Sequence, residues 1–147
     1  MKFMLIMRAT GQEAVDAYQE IDFEEIISLM GAYNESMMKA GVLLAGEGLA
    51  DDVANSFVVD FSTEAPTVTD GPYGEVHELF NGFWILDVAS REEAVEWAKR
   101  APLGPGTKLE VRRVTDESDF ADFADNEYIQ KEAGWREEQA AKRADGA

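Results

Sequence analysis

The sequence has no cysteine, a single histidine and few basic residues, and each shortage excludes a class of protein. Without cysteine, the chain has no disulfide framework, no thiolate metal site and no cysteine nucleophile. The chain has 13 basic and 30 acidic side chains, which gives a formal net charge of −17. Because phosphate backbones are bound through lysine and arginine, this balance argues against nucleic-acid binding. No apolar run approaches the ~20 residues that span a bilayer.

The remaining composition is that of a globular protein. Hydrophobic residues make up 46% of the 147 residues, which suits one packed domain of this length. The apolar run at the start, MKFMLIM, meets Arg8 too soon for a signal peptide and is typical of a first strand. We therefore expect a cytoplasmic protein that binds neither membranes nor nucleic acid.

Hydrophobic periodicity predicts several strands and two main helices. Patterns typical of strands cover residues 2–8, 56–61 and 108–114, where side chains would alternate between two faces, and residues 82–88, the most aromatic strand candidate. Helical spacing begins behind Asp22 and behind Ser90, two residue types that cap helices. A short strand over residues 42–45 is expected to end at the Gly46-Glu47-Gly48 sequence, and residues 56–69 are expected to form a hairpin.

The order of the predicted elements is strand, helix, strand, hairpin, strand, helix, strand. This split β-α-β pair predicts an α+β, ferredoxin-like sandwich with an antiparallel sheet and an inserted β-hairpin. Both helices would cover one sheet face. The other face, which carries mixed residues such as Glu110 and Arg112, would pack on another subunit or line a cavity. We expect residues 1–115 to form this domain and residues 116–147 to be an acidic, helical C-terminal extension of it.

The stretch from residue 68 to residue 88 combines stiff turns, titratable groups and aromatic side chains. Asp70-Gly71-Pro72 suits a tight turn, which by itself requires no function. Glu75 and His77 would share one face of an extended chain, and a histidine that titrates near neutrality suits a general base or acid. We predict His77 as the candidate base and Asp70 or Glu75 as the carboxylate that orients it, with no cofactor.

Four further side chains are candidates for ligand contacts: Arg8, Tyr73, Trp84 and Arg112. The two arginines fall on the predicted sheet face away from the helices, where they could clamp an anionic ligand. Alternatively, they form salt bridges with Glu110 or Asp87. Metal binding has less support, because a single histidine with nearby carboxylates offers no two-histidine spacing.

Several ordered motifs carry a family resemblance. They are VTDGPYGE at residues 68–75 with Glu78, GFWI at 82–85, EAVEWA at 93–98 with Pro102, LEVR at 109–112 and, earlier, GVL at 41–43 with GEGL at 46–49. Over about residues 2 to 115, the chain resembles the DGPF-type proteins of the YCII-related group. The resemblance implies a dimeric α/β-barrel, in which the open sheet of a ferredoxin-like monomer packs on that of its twin.

The resemblance implies little about the reaction. YCII-like relatives are associated with a His-Asp pair and with dehalogenation of aromatic ring compounds, but this chain has no histidine between Asp22 and Tyr33, where that pair's histidine falls. Tyr73 replaces the usual Phe, and His77 stands where the family more often has Lys. Two functions stay open: a homodimer with a small-molecule pocket that binds or performs cofactor-free acid–base catalysis, and a regulatory protein, for example a sigma-factor partner, that binds through its acidic tail.

Overall fold

A computed structural model of the chain describes residues 1–8, 22–50, 55–71, 80–104 and 106–145. It divides into two compact units, Met1–Arg113 and Val114–Ala147. The elements of the first unit, in chain order, are β1 (Lys2–Arg8), α1 (Phe23–Lys39), β2 (Leu43–Gly48), β3 (Phe57–Asp60), β4 (Thr67–Asp70), β5 (Phe80–Asp87), α2 (Arg91–Lys99) and β6 (Lys108–Arg113).

Four of these strands form one antiparallel sheet in the order β2-β5-β1-β6, and β3 pairs with β4 in a separate two-stranded sheet. β1 and β2 are separated by β5, and β5 and β6 are separated by β1. Each β-α-β unit is therefore split by a strand from the other unit. This confirms the predicted ferredoxin-like α+β fold with its inserted hairpin.

The hydrophobic core lies between the sheet and the two helices. Its fully buried side chains are Leu5 of β1, Met37 of α1 and Leu86 of β5, each with 0% exposure. Trp97 of α2 belongs to the same cluster. Side chains alternate between the two faces of a strand. Every second residue of β1 and β5, counted from Leu5 and Leu86, therefore points to this helix side of the sheet.

The helices begin where the sequence predicts. The Asp22 side chain accepts a hydrogen bond from the amide of Glu24 at 3.1 Å, and Ser90 Oγ accepts one from the amide of Glu93 at 3.2 Å. These bonds satisfy amide groups that have no partner in the first turn of a helix.

The predicted end of β2 is wrong, because the strand continues through Gly46 to Gly48. Gly46 is the strand partner of Trp84 in β5, and a Cβ atom at Gly46 would come within 2.7 Å of Trp84 Cδ1. The glycine is needed there to leave room for the indole ring. A local sequence that reads as a break is therefore a packing site within the strand.

The second unit contains a 3₁₀ helix, Glu117–Phe123, and a longer helix α3, Glu127–Asp145. Asp116 caps the 3₁₀ helix: its carboxylate accepts from the amide of Ser118, and its own amide donates to Asp119. A C-terminal helix is thus present, as predicted for the extension. Across the part of the chain that the structure describes, no helix combines the length and apolar character required to cross a membrane.

Candidate functional site

The sheet has a second face, on the side away from the core, which we call the open face. The side chains that strand alternation and register assign to it are Lys2, Met4, Ile6, Arg8, Ala45, Glu47, Phe83, Ile85, Asp87, Lys108, Glu110 and Arg112. The centre of this face is apolar, and Ile6 is only 8% exposed. Met4, Phe83 and Ile85 are half-buried.

Two arginines and one carboxylate meet on β1 and β6 at one side of this apolar centre. Arg8 Nε donates to Glu110 Oε2 at 2.6 Å, and Arg112 Nε lies 4.0 Å from Glu110 Oε1. The Arg8 and Glu110 side chains are about one third exposed, whereas Arg112 is 71% exposed. One carboxylate therefore lies between two guanidinium groups, and the outer guanidinium faces solvent over most of its surface.

The open face differs in charge from the rest of its unit. Residues 1–113 contain 20 acidic and nine basic side chains. The open face nevertheless carries four cations, Lys2, Arg8, Lys108 and Arg112, against three carboxylates, Glu47, Asp87 and Glu110. Because Arg8 pairs with Lys108 in the register, positive charge is concentrated on β1 and β6. An anionic group is thus favoured here, although the protein as a whole repels anions.

Arg8 and Arg112 are the predicted site residues that the structure brings together. Their contact with Glu110 is one of the two predicted salt bridges. Asp87, the other predicted partner of the arginines, lies instead 3.1 Å from the N-terminal amine of Met1. A surface pair of this exposure contributes roughly 0–1 kcal/mol to stability. The cluster therefore contributes little to the stability of the fold.

Trp84 lies on the opposite side of the sheet from the arginines. It is 6% exposed, its Nε1 donates to Asn34 Oδ1 at 2.8 Å, and its ring meets Tyr33 edge to face at 5.5 Å. The indole is thus packed and hydrogen-bonded within the core of the chain. Sequence analysis missed Asn34 and Gly46 as its partners, because both contacts join strands and helices that are distant in the chain.

Tyr33 completes this cluster on the helix side. Its hydroxyl donates to the carbonyl oxygen of Trp97 at 2.9 Å. Burial raises the pKa of Tyr33 to about 12, against the opposing effect of the Arg100 guanidinium. The phenol therefore keeps its proton over the physiological range and acts as a fixed hydrogen-bond donor between α1 and α2.

The predicted corner is described only at its beginning. Asp70 ends β4 as the strand partner of Phe57 and is exposed. Gly71 adopts a φ of 93°, a conformation that favours glycine, and its amide donates to the carbonyl of Ser56 at 2.7 Å. Tyr73, Glu75 and His77 lie outside the described residues, and their roles stay predictions. Among the residues described, no group of three or more metal-ligating side chains comes together.

Comparison with known proteins adds a family and one solved structure. Residues 1–118 match the family model of the YCII-related domain. No curated protein matches the sequence. The chain is similar to a solved structure of 5-chloro-2-hydroxyhydroquinone dehydrochlorinase (TftG) from Burkholderia phenoliruptrix AC1100, in complex with 2,5-dihydroxybenzoquinone. Identity is 13% and the TM-score is 0.40, with 80% of this chain and 98% of that chain covered.

Proposed function

The chain belongs to the YCII-related family, and on that premise we propose that it is a homodimer whose open sheet faces enclose a site for a small anionic molecule. The observation that carries this proposal is the Arg8–Glu110–Arg112 cluster beside an apolar sheet centre, in a chain of net charge −17. The proposal has three parts: the dimer, the anion and the proton chemistry.

The dimer accounts for the apolar centre of the open face. Met4, Ile6 and Ile85 lie on the side of the sheet that the helices do not cover, and covering such area contributes ~25 cal/mol per Å². A second copy is the expected partner, because an identical open sheet is self-complementary about a twofold axis. The face is close to neutral in charge, so it is the part of this acidic chain where two copies repel each other least.

The anion accounts for the arginines. A guanidinium group presents five N–H donors in a plane, which suits a carboxylate or a phenolate. Arg112 meets Glu110 only at 4.0 Å and is 71% exposed, so most of its surface is accessible to a second anion. Its strand partner on β1, Met4, is apolar and half-buried. A flat aromatic carboxylate or phenolate matches both the charge and the apolar centre.

Acid–base chemistry, in this proposal, comes from the corner that precedes β5. Arg8 is the strand partner of Phe80, the first residue of β5, and His77 is three residues before Phe80 in the sequence. Three residues span at most about 10 Å, a chain length that would let the imidazole reach the Arg8 end of the sheet. His77 would act as the base without a cofactor, oriented by Asp70 or Glu75. Tyr73 would contact the same molecule.

Anion binding is tested with benzoate and its neutral analogue benzamide as probes, by isothermal titration calorimetry. We expect benzoate to bind the wild-type chain and Arg112→Gln to weaken binding by about tenfold, because a hydrogen bond to a charged group contributes about 1.5–3 kcal/mol. Arg91→Gln on α2 makes the same charge change at an exposed helix position and should leave affinity unchanged. Equal binding of benzoate and benzamide, or equal losses in both variants, would refute an anion site on the open face.

The contribution of His77 is tested by the pH dependence of benzoate affinity. If the imidazole faces the bound anion, its protonation strengthens binding as the pH falls through about 6.5, the usual value for histidine. His77→Gln should remove this rise and leave binding above neutrality unchanged. A variant whose affinity follows the wild-type pH profile would place His77 away from the site and remove its role as a base.

A further inference from the structure

We propose that residues 116–135 form a docking segment for another protein, one whose surface has apolar pockets surrounded by lysine and arginine. This inference does not depend on the open face, since every residue that carries it lies in the second unit. The segment also begins near the end of the family match at residue 118. It is therefore an addition to the domain that the family shares.

The first observation is a set of exposed aromatic side chains. Phe120 is 39% exposed, Phe123 65%, Tyr128 65% and Trp135 54%. Within the described part of the second unit, no side chain reaches the buried class. Aromatic side chains are the usual anchors of protein interfaces, where they fill pockets with little loss of conformational entropy. Four of them left in solvent on one short segment indicate a surface that a partner covers.

The second observation is that the segment is held in shape by its own hydrogen bonds. The turn between the 3₁₀ helix and α3 is fixed by Asn126, whose Oδ1 accepts from the amide of Tyr128 at 2.9 Å. Gln130 Nε2 donates to the carbonyl of Ala124 at 3.0 Å across the same turn. Such pre-ordering reduces the entropy that binding would otherwise cost. Phe123 and Tyr128 thus lie on either side of a turn that is already ordered before a partner binds.

The third observation is the charge around these aromatics. Residues 116–127 contain six carboxylates and no lysine or arginine. The first cation that follows, Lys131, lies 3.4 Å from Glu127 and over the Tyr128 ring at 5.0 Å. An apolar contact made by this segment therefore brings negative charge with it, and the surface that accepts it must be cationic to avoid repulsion.

Charge also decides which partner is suitable. Residues 1–113 of this chain carry 20 acidic and nine basic side chains, so the body and a second copy of the chain are acidic overall and, outside the open face, repel the segment. Nucleic acids and anionic lipid surfaces are negative and are disfavoured for the same reason. A basic protein surface with apolar pockets is the partner class that matches both the aromatics and the carboxylates.

The experiment uses the full chain and two labelled peptide probes of equal charge. One is an amphipathic helix of leucine and lysine, and the other has serine in place of every leucine. Fluorescence anisotropy should show binding of the leucine–lysine peptide, and at least about tenfold weaker binding of the serine–lysine peptide. Trp135 emission should shift to shorter wavelength in the complex, since Trp84 and Trp97 are already buried.

Variants separate the two recognition elements. The double change Phe123→Ala with Trp135→Ala keeps every charge, and Asp119→Asn with Asp122→Asn keeps every aromatic; each should weaken binding by about tenfold. Phe61→Ala removes a 75% exposed aromatic from the first unit and serves as the matched control, with unchanged affinity expected. The proposal is overturned if the peptide without leucine binds equally well, if the aromatic double variant binds like wild type, or if phosphatidylglycerol vesicles bind more tightly than the leucine–lysine peptide.

Discussion

The two faces of the four-stranded sheet are built from alternate residues of the same strands, yet they are buried to different extents and by different means. On the helix side, Leu5 and Leu86 are fully buried within the chain. On the open face, Ile85 stays half-buried, and Arg8 and Glu110 pair at the surface. The helix side therefore holds the fold of the chain together. In the proposed function, the open face determines what the chain binds.

The largest difference between the faces should appear when neighbouring residues of β5 are truncated. Leu86→Ala opens a cavity in the core, and we expect the free energy of unfolding to fall by about 2–5 kcal/mol. Ile85→Ala, one residue away on the open face, should cost a single chain only roughly 1 kcal/mol, because less of that side chain is buried within the chain. Urea denaturation of both variants at a protein concentration low enough to dissociate the proposed dimer makes the comparison. Equal losses would mean that the two faces are packed alike.

A smaller effect is expected where β2 approaches Trp84 on the helix side. The new Cβ of a Gly46→Ala variant would lie 2.7 Å from Trp84 Cδ1, so the indole must move. We expect a loss of about 1–3 kcal/mol, as for other overpacked cores. Gly48→Ala, in the same strand with no atom within 4 Å of its new Cβ, is the matched control and should be close to neutral. If both variants unfold at the same temperature, Gly46 is not required for packing.

The buried Tyr33 on the helix side should also make the protein less stable at high pH. Burial raises the pKa of Tyr33 from 10.0 to about 12, so between these values the unfolded chain releases the phenol proton while the folded chain retains it. The unfolded state then binds fewer protons, and stability falls as the pH rises through this window. Between pH ~9 and ~11, the free energy of unfolding of Tyr33→Phe should fall by roughly 1 kcal/mol less than that of wild type. Chemical denaturation at each pH measures this difference. Parallel pH profiles would contradict a buried phenol.

The smallest effect on stability is expected for Glu110→Gln on the open face. Because an exposed ion pair contributes only about 0–1 kcal/mol, the melting temperature should change little. Affinity for benzoate should increase, by about fivefold, since a carboxylate near 4 Å from the anion costs about 1 kcal/mol. Calorimetry on this variant thus separates a binding role from a structural one. A large fall in stability with no gain in affinity would make Glu110 a structural residue.

Local sequence patterns predicted where the strands and helices lie. They did not predict features that depend on contacts between distant parts of the chain, such as the end of β2. The alternation in β1 and β6 and the caps at Asp22 and Ser90 are local, and they were confirmed. The end of β2 was wrong because Gly46 and Gly48 look like a turn locally, whereas pairing with β5 keeps them in a strand.

The candidate site was predictable only in part. The alternation of side chains along β1 and β6 predicted that Arg8 and Arg112 share one face, and in the structure both lie next to Glu110. The aromatic character of Trp84 suggested a ligand contact, but period-two alternation alone does not tell which face the helices will cover. Its packing against Tyr33 and Asn34 depends on the position of α1, which the sequence around β5 does not specify.

The central claim is that the open face pairs two copies of the chain, and light scattering coupled to size-exclusion chromatography tests it most directly. At micromolar concentration and moderate salt, we predict twice the chain mass of 16.3 kDa. Ile85→Glu places a charge in the centre of the open face and should give a monomer with an unchanged circular dichroism spectrum. A wild-type chain that elutes as a monomer, or an Ile85→Glu variant that stays as dimeric as wild type, would contradict the account.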